Sequence, residues 1–148
     1  MKIALKGRYL EDIAPYLTRG KFKITGRNPE LIIVHGGDGA LLGAEKDFPG
    51  IPKFPVRDIR TAPLCDEHSS YEKVFGLLYA GKVRKTRLIK LSAKCGKFHL
   101  KAINDIFIHN ANPVSAIRYK VLIDGKPYGE EVVGDGVGAS TVHGSTAY

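Results

Sequence analysis

The chain has 148 residues, 43% of them apolar and 26% charged, with 23 basic against 15 acidic side chains and a formal charge of +8. That length suits one conventional domain with a real core, and the balance excludes a disordered or collagen-like chain. No apolar run reaches the ~18 residues that a membrane helix needs. The N-terminal stretch MKIALKGRYLEDI has no apolar core of a secretory signal, and two cysteines, Cys65 and Cys95, make no disulfide framework. A cytoplasmic, reduced protein is expected, with no membrane and no nucleic acid as partner. The positive charge is scattered: its densest stretch, residues 82–90 (KVRKTRLIK), alternates with apolar side chains and reads as a strand with one solvated face.

Residues 2–6 (KIALK) read as a short strand. Leu10, Ile13, Ala14 and Leu17 recur at helical spacing over residues 9–18, with Pro15 delaying or kinking the helix and Gly20 ending it. The run LIIV at 31–34 is continuously apolar and β-branched, as a parallel strand buried on both faces requires. A glycine turn, His35-Gly36-Gly37-Asp38-Gly39, follows it, and a helix is expected from Ala40. Pro49, Pro52, Pro55 and Pro63 mark an extended connection around one short strand, 53–56. Ser69 and Glu72 form a capping box for a helix with Val74, Phe75, Leu77 and Leu78 on one face and Gly81 at its end. Beyond it the texture is β: strands are expected at 86–91, 103–109, 116–123 and 128–133, with Asp124-Gly125 as a turn. A boundary near residue 84 separates an α/β half from a β-rich half.

Gly36-Gly37-Asp38-Gly39 is the most informative stretch. Glycines let backbone approach a ligand closely, and N–H groups at a helix start attract anions. An Asp in the middle repels a bare phosphate. It makes sense as a metal ligand or as the acceptor of a proton from an attacking hydroxyl. The alternative is a strand-to-helix turn whose glycines serve tight packing. A second cluster, GDGVGAST at 134–141 and GSTAY at 144–148, matches a dinucleotide fingerprint only formally, because no βαβ unit follows. Its hydroxyl groups suit a polar ligand.

Taken in order, GGDG at 36–39, AIND at 102–105, GDG at 134–136, ST at 140–141 and GSTAY at 144–148 closely resemble the pattern of the NAD kinases across nearly the whole chain. GGDG alone is shared with phosphofructokinases and lipid kinases; its combination with GDG and GSTAY is specific. The resemblance implies a Rossmann-like α/β part with the GGDG loop (residues 1–84), followed by a partial all-β substrate domain (residues 85–148). It implies phosphorylation of the adenosine-ribose 2′-hydroxyl of NAD by ATP or polyphosphate, giving NADP, with a divalent ion, Mg or Mn, accompanying ATP. Asp38 would be the base or orienting group, and Gly36, Gly37 and Gly39 would frame the phosphates. Asn104 and Asp105 would hold NAD, and Asp135, His143, Ser145, Thr146, Ala147 and Tyr148 would add contacts.

Some positions depart from the family's pattern. Ala40 stands where a Thr usually follows GGDG, and Val142-His143 stands for Pro-Thr. The usual Gly-Ile-Asn-Thr-Gly stretch is absent; Arg57-Asp58-Ile59-Arg60-Thr61 lies in its neighbourhood, as a source of cationic phosphate contacts. Family members continue well past GSTAY, so a fragment is expected here, or a shortened form that a homo-oligomer completes. The rival functions are a lipid or sugar kinase of the same superfamily and a non-catalytic NAD- or NADP-binding protein. His35, next to the loop, is a candidate phosphate contact. Cys65 with His68, and Cys95 with His99, lack the spacing of a structural zinc site, and Asp66-Glu67-His68 reads as a solvated approach to the helix.

Overall fold

The computed structural model describes residues 1–20, 22–60 and 70–147. The chain divides into two compact units, Met1–Lys85 and Thr86–Tyr148. The first has the expected α/β character and the second the expected β character. No helix among the described residues is long and apolar enough to cross a membrane.

In the first unit, strands β1 (Lys2–Gly7), β2 (Lys23–Ile24), β3 (Leu31–His35) and β4 (Lys53–Val56) form a parallel sheet in the order β2-β1-β3-β4. Successive side chains of β3 point to opposite faces, and both faces are covered. Ile33 joins Ile3, Ile13, Leu17, Val56, Val74 and Phe75 on one side, beneath α1 (Ala14–Leu17) and α3 (Tyr71–Tyr79). Ile32 and Val34 join Ala4 and Ala44 on the other, beneath α2 (Asp38–Asp47). Two-sided burial is why LIIV carries no polar residue. Pro15 lies in the first turn of α1, where its missing N–H does no harm, and a 3₁₀ turn at Leu10–Asp12 precedes it. Pro55 is tolerated in β4 because that strand lies at the sheet's edge.

The cap of α3 differs from the sequence reading by one residue. Ser70 is the N-cap, accepting from the Lys73 N–H at 3.2 Å. Glu72 therefore stands one place too early for a reciprocal box, and it pairs instead with Arg19. At the other end Gly81 takes φ +66° just past the helix, the conformation that closes a helix C-terminus.

The second unit is built of three two-stranded antiparallel ladders. Strands β5 (Leu91–Cys95) and β6 (Phe98–Ala102) form a hairpin turning at Gly96, whose φ is +55°. β7 (Asp105–His109) pairs with β10 (Gly136–Ser140), and β8 (Ile117–Ile123) with β9 (Lys126–Gly134). The β8–β9 turn is Asp124-Gly125, both with positive φ (51° and 77°), matching the right-handed twist of the strands it joins. Two expectations are corrected here. Residues 82–90 carry no strand, and the predicted strand at 86–91 begins only at Leu91, because a strand needs a hydrogen-bonding neighbour and β5 finds one across Gly96. The GDGVGAS run, for which no strand was expected, is largely the strand β10.

At the end of β1, Gly7 has φ +121°, and a Cβ built there would collide with the carbonyl oxygen of His35. Gly7→Ala must therefore strain the backbone and push β1 from β3. A loss of about 2 kcal/mol or more is expected in urea unfolding; an unchanged midpoint and slope would refute this account of the β1 end.

Candidate active site

The carboxyl ends of parallel strands are where open α/β sheets bind ligands. Gly7 pairs with His35, and His35 with Val56, so β1, β3 and β4 end at one level. The chain leaves β3 through Gly36, with φ +137°, and its N–H donates to the Val56 carbonyl at 2.9 Å. Gly37, extended, caps α2, whose first residue is Asp38, two residues earlier than the sequence suggested. Asp38 thus sits in the first turn of a ten-residue helix, where N–H groups lack intrahelical partners. It is exposed, and it lines a cavity of about 180 Å³ together with Gly36, Gly37, Leu41 and Arg57.

The glycines decide between packing and ligand. A Cβ on Gly37 or on Gly39 would meet nothing within 4 Å. Tight packing therefore does not explain these two glycines.

Behind the loop lies a polar network that the spacing of residues did not reveal. His35 is fully buried, with Nδ1 at 2.6 Å from the Arg8 carbonyl and Nε2 at 2.8 Å from the Tyr71 hydroxyl. A carbonyl only accepts, so Nδ1 carries the proton; in the neutral ring Nε2 then accepts from Tyr71. The expectation that His35 touches phosphate is corrected: both ring nitrogens are used inside the fold. Burial pushes the Tyr71 hydroxyl above its usual pKa. Alongside, Asp58 is buried and accepts from Arg60 Nε at 2.9 Å and from the Arg60 N–H at 3.0 Å; these bonds hold its carboxyl below the usual range. Arg60 also reaches Asp12 at 2.5 Å and stacks at 3.9 Å on the ring of Tyr9, a residue held in the left-handed region at φ 53°.

In the second unit the structure brings Asn104 and the Gly144–Thr146 turn together. The Thr141 N–H donates to the Asn104 carbonyl at 2.8 Å, and the Thr141 hydroxyl to the Ile103 carbonyl at 2.6 Å. That same hydroxyl accepts from the Gly144 N–H at 3.1 Å. Gly144 is buried so tightly on Asn104 that a Cβ would strike its carbonyl. Asp105 lies across from Ser140 in the β7–β10 ladder. His143, Ser145, Thr146 and Ala147 are exposed around the turn, with the Ser145 hydroxyl donating to the Val142 carbonyl at 2.9 Å. Asp135 is not part of this cluster. It lies beyond the opposite end of β10, about 17 Å along the strand from Ser140 at ~3.4 Å per residue, where its carbonyl accepts from the Asn110 N–H at 2.8 Å. Tyr148, Thr61, Ser69 and the Cys65–His68 stretch lie outside the described residues. Cys95 is exposed, and no group of three His, Cys, Asp or Glu able to hold a metal occurs among the described residues.

Thr141 serves three backbone groups at once, a role legible only after folding. Thr141→Val should leave the Ile103 carbonyl and the Gly144 N–H unpaired and lower stability by about 1–3 kcal/mol. Chemical denaturation reads this directly, and a loss below a few tenths would discount the bridge.

No protein-family model matches the chain. Curated relatives do: an NAD kinase of Sulfurisphaera tokodaii is 33% identical over 148 aligned positions, covering 95% of this chain and 54% of that one. An NAD kinase of Alcanivorax borkumensis is 33% identical over 132, covering 83% and 43%. Among solved structures, an NAD kinase from Archaeoglobus fulgidus in complex with ATP superposes with a TM-score of 0.75 at 21% identity, over 100% of this chain and 64% of that one. Yeast NADH kinase complexed with NADH gives 0.74 at 18%, over 100% and 59%. The chain spans about half the length of the curated relatives it matches. By the order of its motifs and by these relatives the chain is similar to the NAD kinases, whose fold it shares.

Proposed function

We propose that the chain carries the phosphoryl-transfer activity of its relatives, moving the terminal phosphoryl group of ATP or polyphosphate to the adenosine-ribose 2′-hydroxyl of NAD. The observation that carries this reading is the open GGDG loop: two glycines with free space where side chains would stand, around an exposed carboxylate at a helix N-terminus. The hydroxyl oxygen attacks the terminal phosphorus, the bond to the bridging oxygen breaks, and the electron pair leaves with the shortened donor. The hydroxyl proton goes to Asp38. Nothing in this step needs a covalent enzyme intermediate; positioning and charge stabilisation suffice. The loop N–H groups face the donor phosphates, and Asn104 with Asp105, supported by the Thr141–Gly144 bridge, holds NAD.

A divalent ion, Mg or Mn, fits this site in one way. Asp38 is the single described acid on the cavity, so it would hold an ion ligated mainly by donor oxygens and water. Bound there, such an ion would neutralise charge on the donor phosphates. The cytoplasm is the compartment expected for this reaction.

Exposed apolar surface on the second unit supports self-association as part of the same reading. Its strands leave Phe107, Ile108, Leu122 and Tyr128 each more than half exposed, apolar surface that a second copy of the chain would cover. A sedimentation experiment should show dimers or larger species at micromolar concentration, and a monomer throughout would remove this part.

The activity itself is tested by NADP formation from NAD, ATP and magnesium, read through an NADP-specific dehydrogenase. Asp38→Asn should lower turnover by at least about 10²-fold while sparing NAD binding. Asn104→Ala should chiefly weaken NAD binding. Saturable NAD binding without turnover by the wild-type chain would select the binding-only alternative, and phosphate transfer to a lipid or sugar hydroxyl the other.

A further inference from the structure

We infer that Arg57 is the cation that meets the phosphoryl donor at the GGDG loop; this rests on the proposed activity and names the residue that compensates the donor's charge. Arg57 is the first residue beyond β4, as Gly36 is the first beyond β3. The register pairs His35 with Val56, and the Gly36 N–H is bonded to the Val56 carbonyl, so the two residues leave the sheet side by side. Arg57 then lines the same cavity as Gly36, Gly37 and Asp38, whose remaining walls are Val34, Leu41 and Pro55. At about 180 Å³ this cavity falls below the roughly 300–1,000 Å³ that encloses a whole small ligand, so it accepts one end of a molecule.

The charges on that cavity set the requirement. Asp38 places a carboxylate where a polyphosphate must approach, and the loop and helix N–H groups offer only partial positive charge. Among the described residues Arg57 is the one cationic side chain on the lining. The other arginine of the Arg57–Arg60 segment is engaged elsewhere: Arg60 binds Asp58 and Asp12 and lies on Tyr9. Arg57 is exposed and makes no ion pair with a described residue, so the fold places no competing demand on its guanidinium. A guanidinium offers paired N–H donors that match two phosphate oxygens, and charge in the transition state spreads over the oxygens of the transferring group.

The diphosphate of NAD has the same chemistry as the donor, so the test separates the two. ATP and NAD are titrated in separate calorimetric experiments into the wild-type chain, Arg57→Ala, Arg57→Lys and Arg27→Ala. The last removes equal charge from the loop before β3, at the opposite edge of the sheet. Arg57→Ala should weaken ATP binding by about tenfold or more and lower turnover by about 10²-fold, with NAD binding and melting temperature unchanged. Arg57→Lys should recover part of the loss, and Arg27→Ala should behave as wild type. Wild-type ATP affinity in Arg57→Ala, equal loss in Arg27→Ala, loss of NAD rather than ATP binding, or a wild-type chain that binds no ATP would each overturn the assignment. ATP binding that depends on Arg57 without phosphate reaching NAD would leave Arg57 in place and overturn the proposed activity instead.

Discussion

The first unit depends on one buried side chain. His35 ends β3 with no exposed surface, and its two ring nitrogens join the turn after β1 to the start of α3. Tyr71 passes the connection on, its oxygen lying 3.5 Å from the Ile59 N–H, so the segment after β4 is tied in as well. An imidazole is one of the few side chains that can donate on one side and accept on the other without bearing charge. The residue that adjoins the glycine loop most closely therefore serves the loop's position and not its ligand. The loop inherits its register from the level at which β1, β3 and β4 end, and His35 holds that level from beneath.

The glycines of the chain fall into two groups with opposite meanings. Gly7, Gly136, Gly138 and Gly144 are each pressed against a carbonyl or a ring, so a side chain at any of them disrupts packing. Gly37 and Gly39 stand in open space. Sequence spacing treats all of these glycines alike. The structure separates them: in the first motif Gly37 and Gly39 are free of packing duty while Gly36, at φ +137°, makes the turn, whereas the second is largely a strand and a tight turn whose glycines hold β7, β10 and Asn104 together. The exposed groups of the second motif stand around the turn, and its glycines set where those groups stand.

What the sequence disclosed and what it hid follow from the range of the interactions. LIIV could be read as a doubly buried strand because burial acts through residue type alone, and Asp124-Gly125 as a turn because φ preference is local. The stop of α3 at Gly81 is local in the same way. The start of α3 was read one residue early because two adjacent serines compete for one N-cap, and only the Lys73 N–H settles which is used. The strand expected at 86–91 failed for want of a partner, since pairing is a property of two segments. The motif residues Asp38 and Asn104 were legible from their pattern. The Tyr71–His35 bond and the Asp58–Arg60–Asp12 network were not, because each joins residues that are distant in the chain or ordinary in type.

The two units are stabilised in different ways. The first has apolar clusters on both faces of its sheet. The second buries little beyond Thr141 and Gly144, while most of its large apolar side chains are exposed. Two-stranded ladders are marginal by themselves in water. The rigidity of the Asn104 region must then come from close backbone contacts: Thr141 on Ile103 and Asn104, Gly144 against Asn104, Gly138 beneath the Phe107 ring. Such contacts fix geometry well but contribute little hydrophobic stabilisation, since they bury small residues and backbone. Covering Phe107 and Ile108 would add the missing apolar burial to β7, the same strand that begins at Asp105. Whatever covers these two side chains therefore also steadies the strand that carries Asp105.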